Sequence, residues 1–130
     1  MKILIIDDEE DVRRIATLSL VHVGGFAVIE ACSGEEGLRL AREHRPDAIL
    51  LDVMMPVMDG PATLAALRDD PLTRDIPVLF VTARATPSEV EDLESLGAKG
   101  ILTKPFHALS FPDQLKAVLD AEPPPIPGLD

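Results

Sequence analysis

The 130-residue sequence contains no tryptophan, no tyrosine and only one cysteine, Cys32. Its core must therefore be largely aliphatic, and a hydrophobic content of 46% is enough to build one core in a single domain of this length. A lone cysteine excludes an internal disulfide and fits a reducing cytoplasm. No apolar run reaches the roughly 18 residues that span a bilayer, so we expect no membrane segment.

Positive charge is scarce as well. The 12 lysines and arginines are outnumbered by 23 aspartates and glutamates, which gives a formal net charge of −11. Affinity for a phosphate backbone depends on clustered basic residues that release counterions, so direct nucleic-acid binding is not expected. The same excess of acid argues against an anionic membrane surface as a partner.

Short apolar runs alternate with segments of helical periodicity along the chain. The runs predict five strands, at residues 3–6, 26–31, 48–51, 76–81 and 99–102. The periodic segments predict five helices, at about 10–23, after Ser33 to about 43, from Pro61, from Pro87 to about 96, and at about 109–119. The alternation indicates an α/β fold with a doubly wound, five-stranded parallel sheet and right-handed crossovers.

Polar residues follow four of the five predicted strands. Asp7 and Asp8 come after the first strand, Asp52 after the third, Thr82 after the fourth and Lys104 after the fifth. In an open α/β sheet, ligands bind outside the carboxyl ends of the strands. We therefore expect three carboxylates, one hydroxyl and one ammonium group at a single edge of the sheet.

Such a set of carboxylates needs compensation. Two negative charges about 5 Å apart repel by roughly 3 kcal/mol at an effective dielectric constant near 20, so either one acid is protonated or a cation is bound. Oxygen ligands without paired histidine or cysteine favour a hard divalent ion, above all Mg²⁺. A carboxylate beside Mg²⁺, a lysine and a threonine can carry out phosphoryl transfer through an acyl phosphate.

Four motifs resemble those of response-regulator receiver domains, the CheY-like modules of two-component signalling: IIDDEE at 5–10, LLDVMMPVMDG at 50–60, VTA at 81–83 and ILTKPF at 101–106. The resemblance covers residues 1–121 as one receiver domain and implies a flavodoxin-like sheet with strand order 2-1-3-4-5. Residues 122–130 contain four prolines and are predicted to be a tail or linker.

The resemblance also implies a role for each site residue. Asp52 would be the phosphoacceptor. Mg²⁺ would be held by Asp8, by Asp52 and by the backbone carbonyl of Met54, with Asp7 acting through metal-bound water. Thr82 would swing toward the phosphoryl group, beside the backbone of Ala83.

The remaining implied roles concern the lysine, the lifetime of the phosphate and the switch. Lys104, followed by a cis Pro105, would pair with Asp52 and then with the phosphate. Met54 and Arg84 would tune how long the acyl phosphate survives. One residue departs from the family, because Ile101 stands where receiver domains usually have an aromatic switch residue. We therefore expect the signal to leave through Thr82 and the loop at 84–87.

The resemblance implies partners of two kinds. A histidine kinase or a histidine phosphotransfer protein would donate the phosphoryl group, and a protein partner or output domain would read the result. The sequence names neither of them, nor the oligomeric state. We expect a cytoplasmic protein that is not an enzyme, apart from the self-catalysed phosphorylation and dephosphorylation of its own aspartate.

Two alternatives stay open on the sequence alone. A haloacid-dehalogenase-type phosphatase also combines an aspartyl nucleophile with Mg²⁺, threonine and lysine, although its early D-x-D pattern is missing here. A receiver-fold scaffold that binds its partner without phosphorylation is the second alternative, and Ile101 is the residue that favours it.

Overall fold

Strands and helices alternate along the chain, in a computed structural model that describes residues 1–84 and 86–121. The strands are β1 (Lys2–Ile6), β2 (Ala27–Ala31), β3 (Ala48–Asp52), β4 (Val78–Thr82) and β5 (Gly100–Thr103). The helices are α1 (Glu10–Leu18), α2 (Gly34–His44), α3 (Gly60–Asp69), α4 (Pro87–Ser95) and α5 (Phe111–Asp120).

The five strands form one parallel sheet in the order β2-β1-β3-β4-β5. This confirms the predicted α/β class and strand order. Every residue of β3 and β4 is buried, as expected for central strands that are covered on both faces. The order reverses between β1 and β3, so the carboxyl ends of these two strands flank the crevice where ligands bind in such sheets.

The core has two layers, one on each face of the sheet. Alternate residues of β1 point to opposite faces, so Ile3 and Ile5 pack with residues of α1 and α5, whereas Leu4 and Ile6 pack with residues of α2, α3 and α4. Aromatic residues are few but well placed, since Phe80 and Phe111 are both completely buried, one in each layer.

The first predicted helix differs from the structure in its second half. The prediction was a regular helix to Val23, but α1 ends at Leu18 and continues as one turn of π-helix over Ser19–Val23. The amide of Gly24 bonds back five residues to the carbonyl of Ser19, which marks this wider turn. Apolar spacing does not distinguish the two helix types over so short a segment.

Two other boundaries differ from the prediction by two residues. The fourth strand was predicted from Ile76 but begins at Val78, because Arg68 donates to the carbonyl of Ile76 and Pro77 has no amide hydrogen to donate to a neighbouring strand. The last helix was predicted from Leu109 but begins at Phe111.

The predicted tail at 122–130 lies outside the described residues, so the proposed domain boundary near residue 121 stays a prediction. In the part of the chain that the structure describes, no helix is long and apolar enough to cross a membrane.

Candidate functional site

The strand ends bring the predicted acids together. Asp7 follows β1 directly and Asp52 is the last residue of β3, and these strands are neighbours with Ile6 opposite Leu51. One carboxylate oxygen from each of Asp7, Asp8 and Asp52 lies within 4.8 Å of the other two. Asp7 and Asp52 are buried, whereas Asp8 is exposed. The site is therefore a small acidic crevice with one open side.

Lys104 joins two of these acids. Its Nζ lies 3.0 Å from Oδ2 of Asp7 and 3.2 Å from Oδ1 of Asp52. The backbone amide of Lys104 donates to the carbonyl of Thr82 at 2.9 Å, which fixes the start of the side chain beside β4. The peptide bond between Lys104 and Pro105 is cis. A single ammonium group thus compensates part of the charge of two buried carboxylates.

The electrostatics of the site follow from this crowding. Burial raises the pKa of Asp52 to about 6, and the negative charge of Asp7 adds to the effect, although the ammonium of Lys104 opposes it. Burial alone would lower the pKa of Lys104. Its hydrogen bond to Asp7 and the negative charges of Asp7 and Asp52 outweigh burial, so the pKa of Lys104 is raised. Because one ammonium group balances only part of the charge of three carboxylates, the crevice can accept a further positive charge.

The residues present fit a hard divalent cation. The three acids supply closely spaced oxygen atoms, and Asp8 is exposed to solvent. Oxygen is the donor atom that Mg²⁺ prefers. The side chain of Met54 is 79% exposed, so any contribution of this residue to a cation depends on its backbone carbonyl. The sequence-level assignment of that carbonyl stays a prediction.

The loop after β3 is held against the sheet by backbone contacts. The amide of Val53 donates to the carbonyl of Val81, and the amide of Gly60 donates to the carbonyl of Val53 at 2.9 Å. A Cβ atom on Gly60 would lie 2.5 Å from the carbonyl oxygen of Asp52 and 2.8 Å from Cα of Val53. Gly60 belongs to one of the sequence motifs, but the sequence does not show why a glycine is required there. The structure does, because any side chain at this position would overlap the backbone beside Asp52.

Thr82 is at the predicted strand end, but its hydroxyl is engaged elsewhere. The hydroxyl donates to the carbonyl of Arg84 and accepts from the amide of Arg84, both at 3.0 Å. Ala83 and Arg84 are exposed, and Nη1 of Arg84 lies 4.0 Å from a carboxylate oxygen of Glu89 on α4. Any bond from Thr82 to a group on Asp52 would replace the bond to the Arg84 carbonyl.

Ile101 lies in β5 and is half-buried. It packs against the core layer that also contains Phe80 and residues of α3 and α4. An aliphatic side chain therefore occupies the position for which the resemblance implied an aromatic switch residue.

The sequence matches one known family. The sequence profile of the response regulator receiver domain matches residues 3–117. The chain belongs to this family. In this receiver domain, the acidic crevice is formed by Asp7, Asp8, Asp52 and Lys104.

Relatives and solved structures agree with the assignment. The transcriptional regulatory protein PrrA of Mycobacterium tuberculosis is 41% identical over 120 residues, which are 91% of this chain and 49% of PrrA. The polar-differentiation response regulator DivK of Brucella anthropi is 34% identical over 117 residues, 90% of this chain and 94% of DivK. The chemotaxis response regulator CheY4 of Vibrio cholerae has a TM-score of 0.83 at 32% identity, with 90% of this chain and 97% of that chain covered. This receiver domain thus spans about half the length of PrrA.

Gly60 provides a test of how tightly the receiver site is packed. Gly60→Ala adds a methyl group to the first residue of α3, where alanine would normally favour the helix by about 1 kcal/mol. Because the new Cβ would meet backbone atoms of Asp52 and Val53, we expect a loss of about 2 kcal/mol of unfolding free energy instead. Urea unfolding followed by circular dichroism measures the change, and an increase in stability would contradict the packing argument.

Proposed function

We propose that this receiver domain is a phosphorylation switch of a two-component pathway. It would accept a phosphoryl group on Asp52 from a phosphohistidine of a histidine kinase or a histidine phosphotransfer protein, with Mg²⁺ bound. The observation that carries the proposal is the Lys104 ammonium, which lies within 3.2 Å of both Asp7 and Asp52 beside the third acid, Asp8.

The reaction assigns a separate task to each group. An oxygen of Asp52 attacks the phosphorus in line, the bond from phosphorus to the histidine nitrogen breaks, and its electron pair stays on the imidazole. Bound Mg²⁺, held by Asp8, Asp52 and the carbonyl of Met54, with Asp7 acting through water, would neutralise charge on the phosphoryl oxygens.

The chain's own cation and donors complete the site. Lys104 would exchange its contact with the Asp52 carboxylate for one with the phosphoryl group. The hydroxyl of Thr82 would leave the carbonyl of Arg84 and donate to the phosphoryl group, next to the backbone amide of Ala83. Because Thr82 and Arg84 exchange hydrogen bonds in the structure, this movement would carry the signal into the loop before α4 without an aromatic residue at position 101.

The acyl phosphate would later be hydrolysed at the same site, so we propose no turnover of an external substrate. Met54 and Arg84 have exposed side chains, which agrees with a role in controlling the access of water. We further propose that the domain acts in the cytoplasm, where such donors present their phosphohistidine, and that a protein partner or output domain reads its state.

The decisive test uses acetyl phosphate as a small donor, with intact mass as the readout. We expect one added phosphoryl group in the presence of Mg²⁺, none after removal of the metal, and none in Asp52→Asn. Asp59→Asn is the matched control, because asparagine can still accept the amide of Ala62 that caps α3. Phosphorylation of Asp52→Asn would reject the site assignment. Loss of phosphorylation in Asp59→Asn, with Asp52→Asn still modified, would reject it as well.

A phosphorylation-independent scaffold is the alternative that one observation favours, namely the aliphatic Ile101 in β5. Amide NMR spectra of the same phosphorylated samples separate the two. A domain whose amide NMR spectrum is unchanged by acetyl phosphate with Mg²⁺, despite full modification of Asp52, would bind its partner as a scaffold.

A further inference from the structure

The three acids of the crevice are not held in the same way. The Asp7 carboxylate is fixed twice, since one oxygen accepts from the amide of Glu9 at 2.9 Å and the other contacts Lys104. The Asp52 carboxylate is fixed by Lys104. Among the described residues, none of these contacts reaches the exposed carboxylate of Asp8. The position of that carboxylate must therefore be set by the backbone that carries it.

Arg13 holds this backbone. Nη1 of Arg13 donates to the carbonyl oxygen of Asp7 at 2.7 Å, and this carbonyl belongs to the peptide bond that joins Asp7 to Asp8. Nε of the same side chain contacts the carboxylate of Glu30 in β2 at 3.3 Å. The side chain is only 15% exposed, although it is charged and lies near the start of α1. A largely buried guanidinium whose Nη1 and Nε atoms are both paired is held in one defined geometry.

We propose that Arg13 is a positioning residue of the cation site. It fixes the plane of the peptide bond between Asp7 and Asp8 against β2, and so it sets the direction in which the Asp8 carboxylate leaves the backbone. The amide of Asp7 is fixed to the same strand, because it donates to the carbonyl of Ala31 at 3.1 Å. This inference rests on the proposed function, since it assumes that the acids hold Mg²⁺.

The sign of the effect separates positioning from charge. Removing a nearby positive charge makes the crevice more negative, so a purely electrostatic role for Arg13 predicts tighter Mg²⁺ binding after its removal. A positioning role predicts weaker binding, because the Asp8 oxygen is no longer held in place. Partners in the outer shell of a metal site typically change its affinity by about 10- to 100-fold when removed.

The experiment measures Mg²⁺ affinity by isothermal titration calorimetry for Arg13→Gln and for a matched control, Arg14→Gln. Arg14 lies next to Arg13 on α1, carries the same charge and is 70% exposed, and among the described residues its one ion pair is with Glu10, at 3.8 Å. We expect Arg13→Gln to bind Mg²⁺ about 10-fold more weakly than wild type. We expect Arg14→Gln to bind as wild type or slightly more tightly.

A second readout does not involve the metal. In Mg²⁺-free protein, amide hydrogen exchange at Asp7 and Glu9, whose amides donate to the Ala31 carbonyl and to the Asp7 carboxylate, should be faster in Arg13→Gln than in Arg14→Gln. If Arg13→Gln does not fold, Arg13→Lys is compared with Arg14→Lys in the same way. These variants keep the charge, but Arg13 uses two separate nitrogens of a planar guanidinium for the Asp7 carbonyl and Glu30, a geometry that lysine does not reproduce, so Arg13→Lys should bind Mg²⁺ more weakly.

Two failures can be told apart. Equal or tighter binding in Arg13→Gln than in wild type would overturn the role of Arg13 while leaving the phosphorylation switch intact. Wild-type protein that binds no Mg²⁺ and is not modified by acetyl phosphate would instead overturn the proposed function itself.

Discussion

In metal-free buffer near pH 7.5, Lys104→Met is expected to lower the unfolding free energy by about 3 kcal/mol. Lys104 contacts two buried carboxylates, at 3.0 and 3.2 Å, and methionine fills a similar volume without a charge. Removing one partner of a buried ion pair leaves uncompensated charge, which costs about 3–5 kcal/mol. We place the loss at the lower end because the open side of the crevice, at Asp8, admits water.

Urea unfolding by circular dichroism measures this loss, since the chain has neither tryptophan nor tyrosine for fluorescence. Lys99→Met is the control, because in the described part of the chain the Lys99 ammonium donates to a backbone carbonyl, that of Ala121, and pairs with no carboxylate. Saturating Mg²⁺ should return most of the lost stability of Lys104→Met by supplying positive charge to the same carboxylates. A loss of equal size in both variants, or one that Mg²⁺ does not reduce, would argue against the bridging role of Lys104.

The same variant separates acceptance of the phosphoryl group from the response to it. Asp52 and the metal ligands remain in Lys104→Met, so acetyl phosphate with Mg²⁺ should still modify it. Without the ammonium, the phosphoryl group has no cation at the end of β5 to attract it, so we expect phosphorylation to cause only small changes in the amide NMR spectrum. A full, wild-type response would show that Lys104 has no part in the switch.

Much of the fold follows from local patterns. The strands that hold Asp7 and Asp52 are short aliphatic runs, and a parallel sheet necessarily brings their carboxyl ends to one edge. The site residues Asp8, Thr82 and Lys104 could be named from the sequence for the same reason, because each follows or ends a strand. The structure adds that Lys104 contacts Asp7 as well as Asp52.

What the sequence did not predict depends on contacts between distant segments. An arginine at the position of Arg13 on α1 would ordinarily be predicted to be solvated. Only the structure shows that Arg13 is paired with Glu30 on β2. The hydroxyl of Thr82 could have turned toward Asp52 or toward its own loop, and a rotamer leaves no trace in the sequence. The π-helical turn at Ser19–Val23 has the apolar spacing of an α-helix, so its wider hydrogen bonding was also invisible.

Asp52→Asn should reverse the usual expectation that a mutation in a functional site is destabilising or neutral. Burial raises the pKa of the Asp52 carboxyl to about 6, from an ordinary value of 3.8. The native state therefore holds this proton more strongly than the unfolded chain does. Stability from this group is present below pH 3.8 and is lost as the pH rises through 6, so the ionised carboxylate destabilises the metal-free protein at neutral pH.

Asparagine has no proton to lose, so the difference between the two proteins should depend on pH. We expect Asp52→Asn to be about 2 kcal/mol more stable than wild type at pH 7.5 without metal, and equal to it near pH 4. Lys104 keeps its contact with Asp7 in the variant, so the lysine is not left unpaired. Asp59→Asn, in which asparagine can still cap α3, is the control variant at both pH values.

Mg²⁺ should then invert the order of the two proteins at pH 7.5. Ligand that binds only the native state adds about 2.7 kcal/mol when its concentration is 100 times the dissociation constant. In the proposed site wild type should gain this because ionised Asp52 is a ligand of the ion, whereas the variant has lost one of the three acids around it and should gain much less. Equal stabilisation of both proteins by Mg²⁺ would place the cation away from Asp52. Metal binding would then not explain why position 52 carries a carboxylate that lowers the stability of the metal-free protein.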